Sequence, residues 1–145
     1  MTRGIYPVPL TETYADNSTR PFWEAALEHR FIGARCTQCG TFQIPPAPRC
    51  YICLNDAYDW VDLPGTGTIY SFTVVRRALA PQMDDAVPYV SAIIELDGTQ
   101  GAGARFAANI VDCDPDAVRI GDRVKSVFDA ITPDITVPRF RPIED

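Results

Sequence analysis

Along residues 64–145, apolar and polar positions alternate in five short runs separated by turn-forming residues. Residues 68–75 read Thr-Ile-Tyr-Ser-Phe-Thr-Val-Val, and residues 89–96 are almost continuously apolar. Residues 105–111, 123–129 and 135–140 follow in the same style. β-Branched and aromatic residues at a period of two suit strands that bury one face. Pro64-Gly65-Thr66-Gly67 opens this stretch as a turn, and Ile120-Gly121-Asp122 reads as a hairpin-type turn. Asp114-Pro115-Asp116-Ala117-Val118 has room for one helical turn. Five strands, with at most one helical turn between the third and fourth, predict a small Greek-key barrel of the OB type, whose closure leaves no exposed edge. A β-sandwich is the alternative.

Upstream the pattern differs. Residues 1–18 read as an extended arm, because Tyr6-Pro7-Val8-Pro9-Leu10 cannot be helical and residues 11–18 are polar. Thr19 is placed to cap a short helix that tolerates Pro21 in its first turn. Phe22, Trp23, Ala26, Leu27 and Arg30 give that helix an aromatic-rich stripe. Residues 31–35 lead out of it as a strand. The predicted organisation is an N-terminal arm and helix (1–33), a metal module (34–62) and a barrel (63–145), mainly β overall.

The metal module rests on four cysteines spaced Cys36-x-x-Cys39 and Cys50-x-x-Cys53, with ten residues between the pairs. Two thiolates, two residues apart, sit on one side of a tight turn, and a second such pair completes a tetrahedron. Gly40 suits the positive φ that the first knuckle demands. The second pair is followed by Leu54-Asn55, where Asn55 is the residue that tolerates left-handed geometry. Between the pairs, proline-rich residues 43–49 are expected to be extended, and Trp60 to close the apolar side of the module. Zinc suits four thiolates in a closed shell; iron in a rubredoxin-like arrangement is the competitor. A closed shell leaves no position for water or substrate, so the metal holds the fold together. Two disulfides fit poorly with five cysteines and no apolar signal segment near Met1. A redox-active pair fits poorly with two copies at ribbon spacing. The fifth, Cys113, lies between Asp112 and Asp114, which raise its pKa, and reads as an inert small side chain.

Composition narrows the function classes. In 145 residues with 46% hydrophobic content there is enough apolar surface for a core, and thirteen prolines favour short strands and loops. A net charge of −6 argues against non-specific nucleic-acid binding. No apolar run reaches the length of a membrane span, and the expected location is the cytoplasm. His29, the only histidine, reads as solvent-facing on the helix beside Glu28 and Arg30. There is no nucleophile elbow, and Gly65-Thr-Gly67 is too short for a dinucleotide loop and precedes a strand.

Taken in order, Phe22-Trp23, Cys36-Thr-Gln-Cys39-Gly40, Pro48-Arg49-Cys50, Cys53, Trp60, Gly65-Thr-Gly67-Thr-Ile-Tyr-Ser71, Pro88-Tyr89, Glu95-Leu96-Asp97, Ile120-Gly121 and Phe140-Arg141-Pro142 carry a resemblance over nearly the whole chain. The chain resembles the zinc-ribbon/OB-fold acyl-CoA-associated proteins, domain-of-unknown-function family 35. It departs from the family pattern at Tyr51, where proline is common, and in a longer, glycine-rich stretch at 98–103.

The resemblance implies a structural zinc on Cys36, Cys39, Cys50 and Cys53. It also implies an accessory role, with no catalytic residues of its own, beside a thiolase-fold enzyme or a hot-dog-fold hydratase acting on acyl-CoA thioesters. The expected partner is a thiolase-like subunit in a hetero-oligomer that cleaves carbon–carbon bonds. Thiolysis and retro-aldol cleavage, the latter of a steroid side-chain CoA thioester, are both open. Phe22 and Trp23 are candidate partner contacts, set against simple packing of the aromatic stripe. Arg76 and Arg77, after the first barrel strand, are candidates for meeting CoA phosphates, set against a solvated pair balancing Asp84 and Asp85. A stand-alone acyl-CoA-binding or nucleic-acid-binding module is the alternative function.

Overall fold

The computed structural model describes residues 19–99 and 104–144; the expected arm at 1–18 and most of the glycine-rich stretch lie outside them. A short helix, α1 (Arg20–Leu27), leads into β1 (Ile32–Cys36), β2 (Phe42–Gln43) and β3 (Tyr58–Asp62), and then into β4 (Thr66–Val75), β5 (Tyr89–Leu96), β6 (Arg105–Ile110), β7 (Arg123–Ala130) and β8 (Thr136–Pro142). The first three strands form an antiparallel sheet in the order β2-β1-β3, and the last five close a barrel in the order β4-β5-β6-β8-β7. This is the predicted five-stranded OB arrangement, not a sandwich.

Helix α1 is amphipathic, but its buried stripe is Phe22, Ala25 and Ala26, while Leu27 is 44% exposed. The i, i+3, i+4 spacing of those three residues decides which face turns inward. Thr19 stands at the N-cap, yet its hydroxyl makes no capping bond; its carbonyl accepts from the N–H groups of Phe22 and Trp23. The helix ends in a Schellman turn: the N–H of Arg30 donates to the carbonyl of Ala25 and that of His29 to Ala26. His29 takes the left-handed position at φ 58° and stacks flat on Phe128, with ring centroids 5.2 Å apart. It is exposed, as expected, but lies beyond the helix against the barrel.

Alternation along β5 sends Val90, Ala92, Ile94 and Leu96 into the barrel. Gly67 of β4 is required by the close approach of β5, since a Cβ there would stand 2.5 Å from the carbonyl oxygen of Glu95. The predicted helical turn is a single 3-10 turn at Pro115–Ala117, and Gly121 turns the chain into β7 at φ 95°. The end of the barrel facing α1 and the ribbon is filled by rings. Phe31 packs edge-on to Phe22, Phe106 and Phe140 at centroid distances of 5.8, 5.4 and 5.8 Å. Residues from the helix, the ribbon and the barrel therefore share one hydrophobic cluster, and Trp60 packs against it.

Candidate metal centre and the surfaces around it

The two cysteine pairs sit on turns of the same construction. The N–H of Gly40 donates to the carbonyl of Cys36, and the N–H of Leu54 donates to that of Cys50, both at 3.0 Å. The N–H of Cys36 donates to Thr41 and that of Cys50 to Asn55, both at 2.8 Å. Each knuckle places the residue directly after its second cysteine in the left-handed region: Gly40 at φ 76° and Leu54 at φ 65°. The left-handed residue of the second knuckle is thus Leu54 and not Asn55, because the repeated hydrogen-bond register fixes the position regardless of side-chain preference. Asn55 supports the knuckles with its side chain, donating to Thr37 Oγ1 and approaching Cys36 Sγ.

The linking segment is also not extended. It bends at residues 44–45, across the cis Ile44–Pro45 peptide, and again at 48–49. The chain must reverse to bring Cys50 back toward Cys39, and Gln43 Oε1 accepts from Ala47 N and from the Tyr58 hydroxyl along the way.

The four sulfurs lie within 4.8 Å of one another. Cys36 and Cys53 are 3.5 Å apart, and Cys39 and Cys50 are 3.6 Å apart. A tetrahedral zinc with bonds of about 2.3 Å sets its sulfurs about 3.8 Å apart, so the cluster fits a four-thiolate metal. Protons alone hold it poorly. The Cys39 backbone N–H, aided by the Asn55 side chain, brings the Cys36 thiol down to about 6. At Cys53 the Asn55 N–H favours the thiolate, but burial and the neighbouring sulfurs push the thiol up to about 12. Thr41 holds Cys39 below the ordinary thiol range. A divalent cation bound here would displace the thiol protons. Cys36 and Cys50 are buried, and four sulfurs converge, so a metal held here would have a closed shell and supply structure and not a Lewis-acid site. Among the described residues this is the group able to hold a metal.

The other sequence-derived candidates scatter. Phe22 is 3% exposed inside the shared core, with Trp23 half-buried beside it, edge-on at 5.2 Å. Arg76 and Arg77 are exposed at the end of β4. Arg76 is paired with Asp116 from the 3-10 turn, not with Asp84 or Asp85. Cys113 is partly buried, and burial is the first cause of its raised pKa, ahead of Asp114, Asp112 and Asp122. The second knuckle presents three exposed apolar side chains, Tyr51, Ile52 and Leu54, at 58%, 57% and 66% exposure. Among the described residues, no helix is long and apolar enough to cross a membrane.

One polar constellation was not anticipated. Arg139 of β8 is fully buried; its Nε donates to Asp129 Oδ2 at 2.8 Å and its Nη1 to Asn109 Oδ1 at 2.6 Å. These residues occupy the outward positions of β8, β7 and β6, which the alternation assigns to solvent. They are nevertheless buried, at 0% exposure for Arg139 and 5% for both Asp129 and Asn109.

A rubredoxin-like four-cysteine ribbon leading into a closed five-stranded barrel defines the class: a zinc-ribbon/OB-fold protein. Residues 23–59 match the ChsH2 rubredoxin-like zinc ribbon domain and residues 60–129 the ChsH2 C-terminal OB-fold domain. Within the class, the chain belongs to the ChsH2/DUF35 family. It is 39% identical over 122 residues to a DUF35 domain-containing scaffold protein of Methanocaldococcus jannaschii, covering 79% of this chain and 82% of that one. It is 36% identical over 137 residues to a probable enoyl-CoA hydratase alpha subunit of Thermomonospora curvata, covering 94% of this chain and 41% of the other. A 3-oxo-4,17-pregnadiene-20-carboxyl-CoA hydratase alpha subunit of Mycobacterium tuberculosis is 26% identical over 122 residues, covering 84% and 37%. The chain thus spans about two fifths of the length of these two hydratase subunits. Among solved structures, a chain of an Ltp2-ChsH2(DUF35) aldolase superposes with a TM-score of 0.75 at 33% identity, covering 89% of this chain and 97% of that one.

Proposed function

We propose that this chain is a non-catalytic accessory subunit of a thiolase-like enzyme that cleaves a carbon–carbon bond in an acyl-CoA thioester. The observation that carries the reading is the match over 97% of the chain found in the Ltp2-ChsH2(DUF35) aldolase. The site chemistry supports it: the closed thiolate shell would offer no reactive position, and the ring of His29 is stacked flat on Phe128. In this role the partner carries the reacting groups, and this chain walls the acyl-CoA channel and holds the partner in its active arrangement.

Retro-aldol cleavage is favoured over thiolysis, because the structural relative is an aldolase. A steroid side-chain thioester is the favoured substrate, because the Mycobacterium tuberculosis relative is named for a pregnadiene carboxyl-CoA. The exposed apolar second knuckle and half-buried Trp23, backed by buried Phe22, supply partner contacts. Arg76 and Arg77 are placed to meet CoA phosphates, Arg76 after exchanging Asp116 for a phosphate. Reduced cysteines gathered for a metal fit the cytoplasm. Reconstitution tests the reading: the zinc-loaded chain, mixed with a thiolase-like aldolase subunit from the same genome, restores cleavage that neither shows alone. Full activity of the enzyme without the chain would remove it.

A further inference from the structure

A largely apolar cavity of about 330 Å³ lies beside β6, between α1 and β8, with residues 106–109 and no cysteine in its lining. Phe22, Trp23, Phe106 and Pro138 are among its walls. Three polar residues line it: Thr19 at the start of α1, and Ser91 of β5 with Asn109 of β6, cross-strand partners whose side chains leave the sheet on one face.

Asn109 is 5% exposed and cannot reorient. Its Oδ1 accepts from Arg139 Nη1, a group that only donates, and its Nδ2 donates to the Val90 carbonyl at 3.2 Å. That leaves the second N–H of Nδ2 for the cavity. Arg139 is in turn clamped by Asp129. A buried ion pair of this kind adds little net stability over an apolar replacement; here it fixes the donor on a cavity wall, as a supporting shell does in a ligand site. The volume is roughly twice the ~150 Å³ that encloses one benzene ring, and the aromatic walls Phe22, Trp23 and Phe106 suit an apolar ring system.

We propose that this cavity binds a fused-ring, otherwise apolar group bearing a carbonyl or hydroxyl oxygen, with that oxygen held between Ser91 Oγ and Asn109 Nδ2. Naming the ligand as the acyl part of the thioester rests on the accessory-subunit reading; the binding itself belongs to the free chain.

The test titrates the zinc-loaded full chain with testosterone, a 3-keto steroid. It follows the Asn109 side-chain amide by NMR and Trp23 fluorescence in a Trp60→Phe background. Both signals are expected to move together and saturate. Ser91→Val weakens binding about fivefold, the worth of one hydrogen bond, and Ala107→Phe abolishes it without loss of the folded NMR spectrum. The proposal is overturned by the absence of saturable shifts up to the solubility limit, or by binding indifferent to both substitutions. It is equally overturned by binding that appears only once residues 1–18 are removed, which would make the cavity the seat of that segment. A chain that joins its enzyme yet ignores the steroid refutes this site alone; one that binds the steroid but no enzyme refutes the subunit reading alone.

Discussion

Leu54 carries a backbone cost that its counterpart Gly40 avoids: φ 65° for a leucine whose side chain is 66% exposed. A left-handed non-glycine residue costs about 1–2 kcal/mol, and little burial offsets it here. Leu54→Gly is expected to stabilise the isolated zinc-loaded chain by about 1 kcal/mol in thermal unfolding; unchanged or lower stability would show that the leucine packs better than its exposure implies. Its exposure fits the proposed role of the knuckle in contacting a partner. At Arg139 the sign reverses. Asp129→Ala leaves a fully buried guanidinium without its carboxylate and is expected to destabilise by about 3–5 kcal/mol. The double variant Arg139→Met/Asp129→Leu should recover most of that in denaturant melts. The cysteines were legible because their chemistry fixes their spacing. Arg139 was not, because alternation assigns it to solvent, and only the folded chain shows it buried beside Asp129 and Asn109.

Each knuckle is too small to be stable without its metal. The account expects one zinc per chain by elemental analysis, and cobalt substitution giving the strong visible absorption of tetrahedral thiolate coordination. Cys50→Ser should lose the metal and melt β1–β3, with weakening of the barrel through the shared ring cluster at Phe31. Where β4, β5 and β7 meet, Arg123 clips Asp97 through both carboxylate oxygens, and Thr66 donates to the same carboxylate. The Arg123 contact holds the Asp97 carboxyl below its ordinary range. Its contribution is therefore full above the unfolded value of about 3.9 and fades as pH falls through the lower folded value. Because both side chains are partly exposed, the contribution is at most about 1 kcal/mol. Asp97→Asn should remove that share of the loss of stability below pH about 4, read as a flatter acid limb in stability against pH. Strand identities followed from alternation, and the strand bounds moved by only one or two residues. The link between the knuckles was misread because proline restricts local geometry without saying where the chain must go. Here the need to return Cys50 to the first knuckle imposes two bends.

At the level of the whole molecule, helix, ribbon and barrel share one core, so they move as a unit and offer a partner a preset surface. The family was legible from the order of motifs. The surfaces were not, since docking faces depend on which apolar residues the fold leaves outside, and the exposed trio at Tyr51, Ile52 and Leu54 emerges only from the folded knuckle. The most direct test is co-expression with a thiolase-like aldolase subunit from the same genome, followed by native mass spectrometry of material purified through a tag on this chain alone. The account predicts a stable heteromer that contains the enzyme and carries one zinc per copy of this chain. A tagged chain recovered folded and metal-loaded, but without the enzyme, would contradict it.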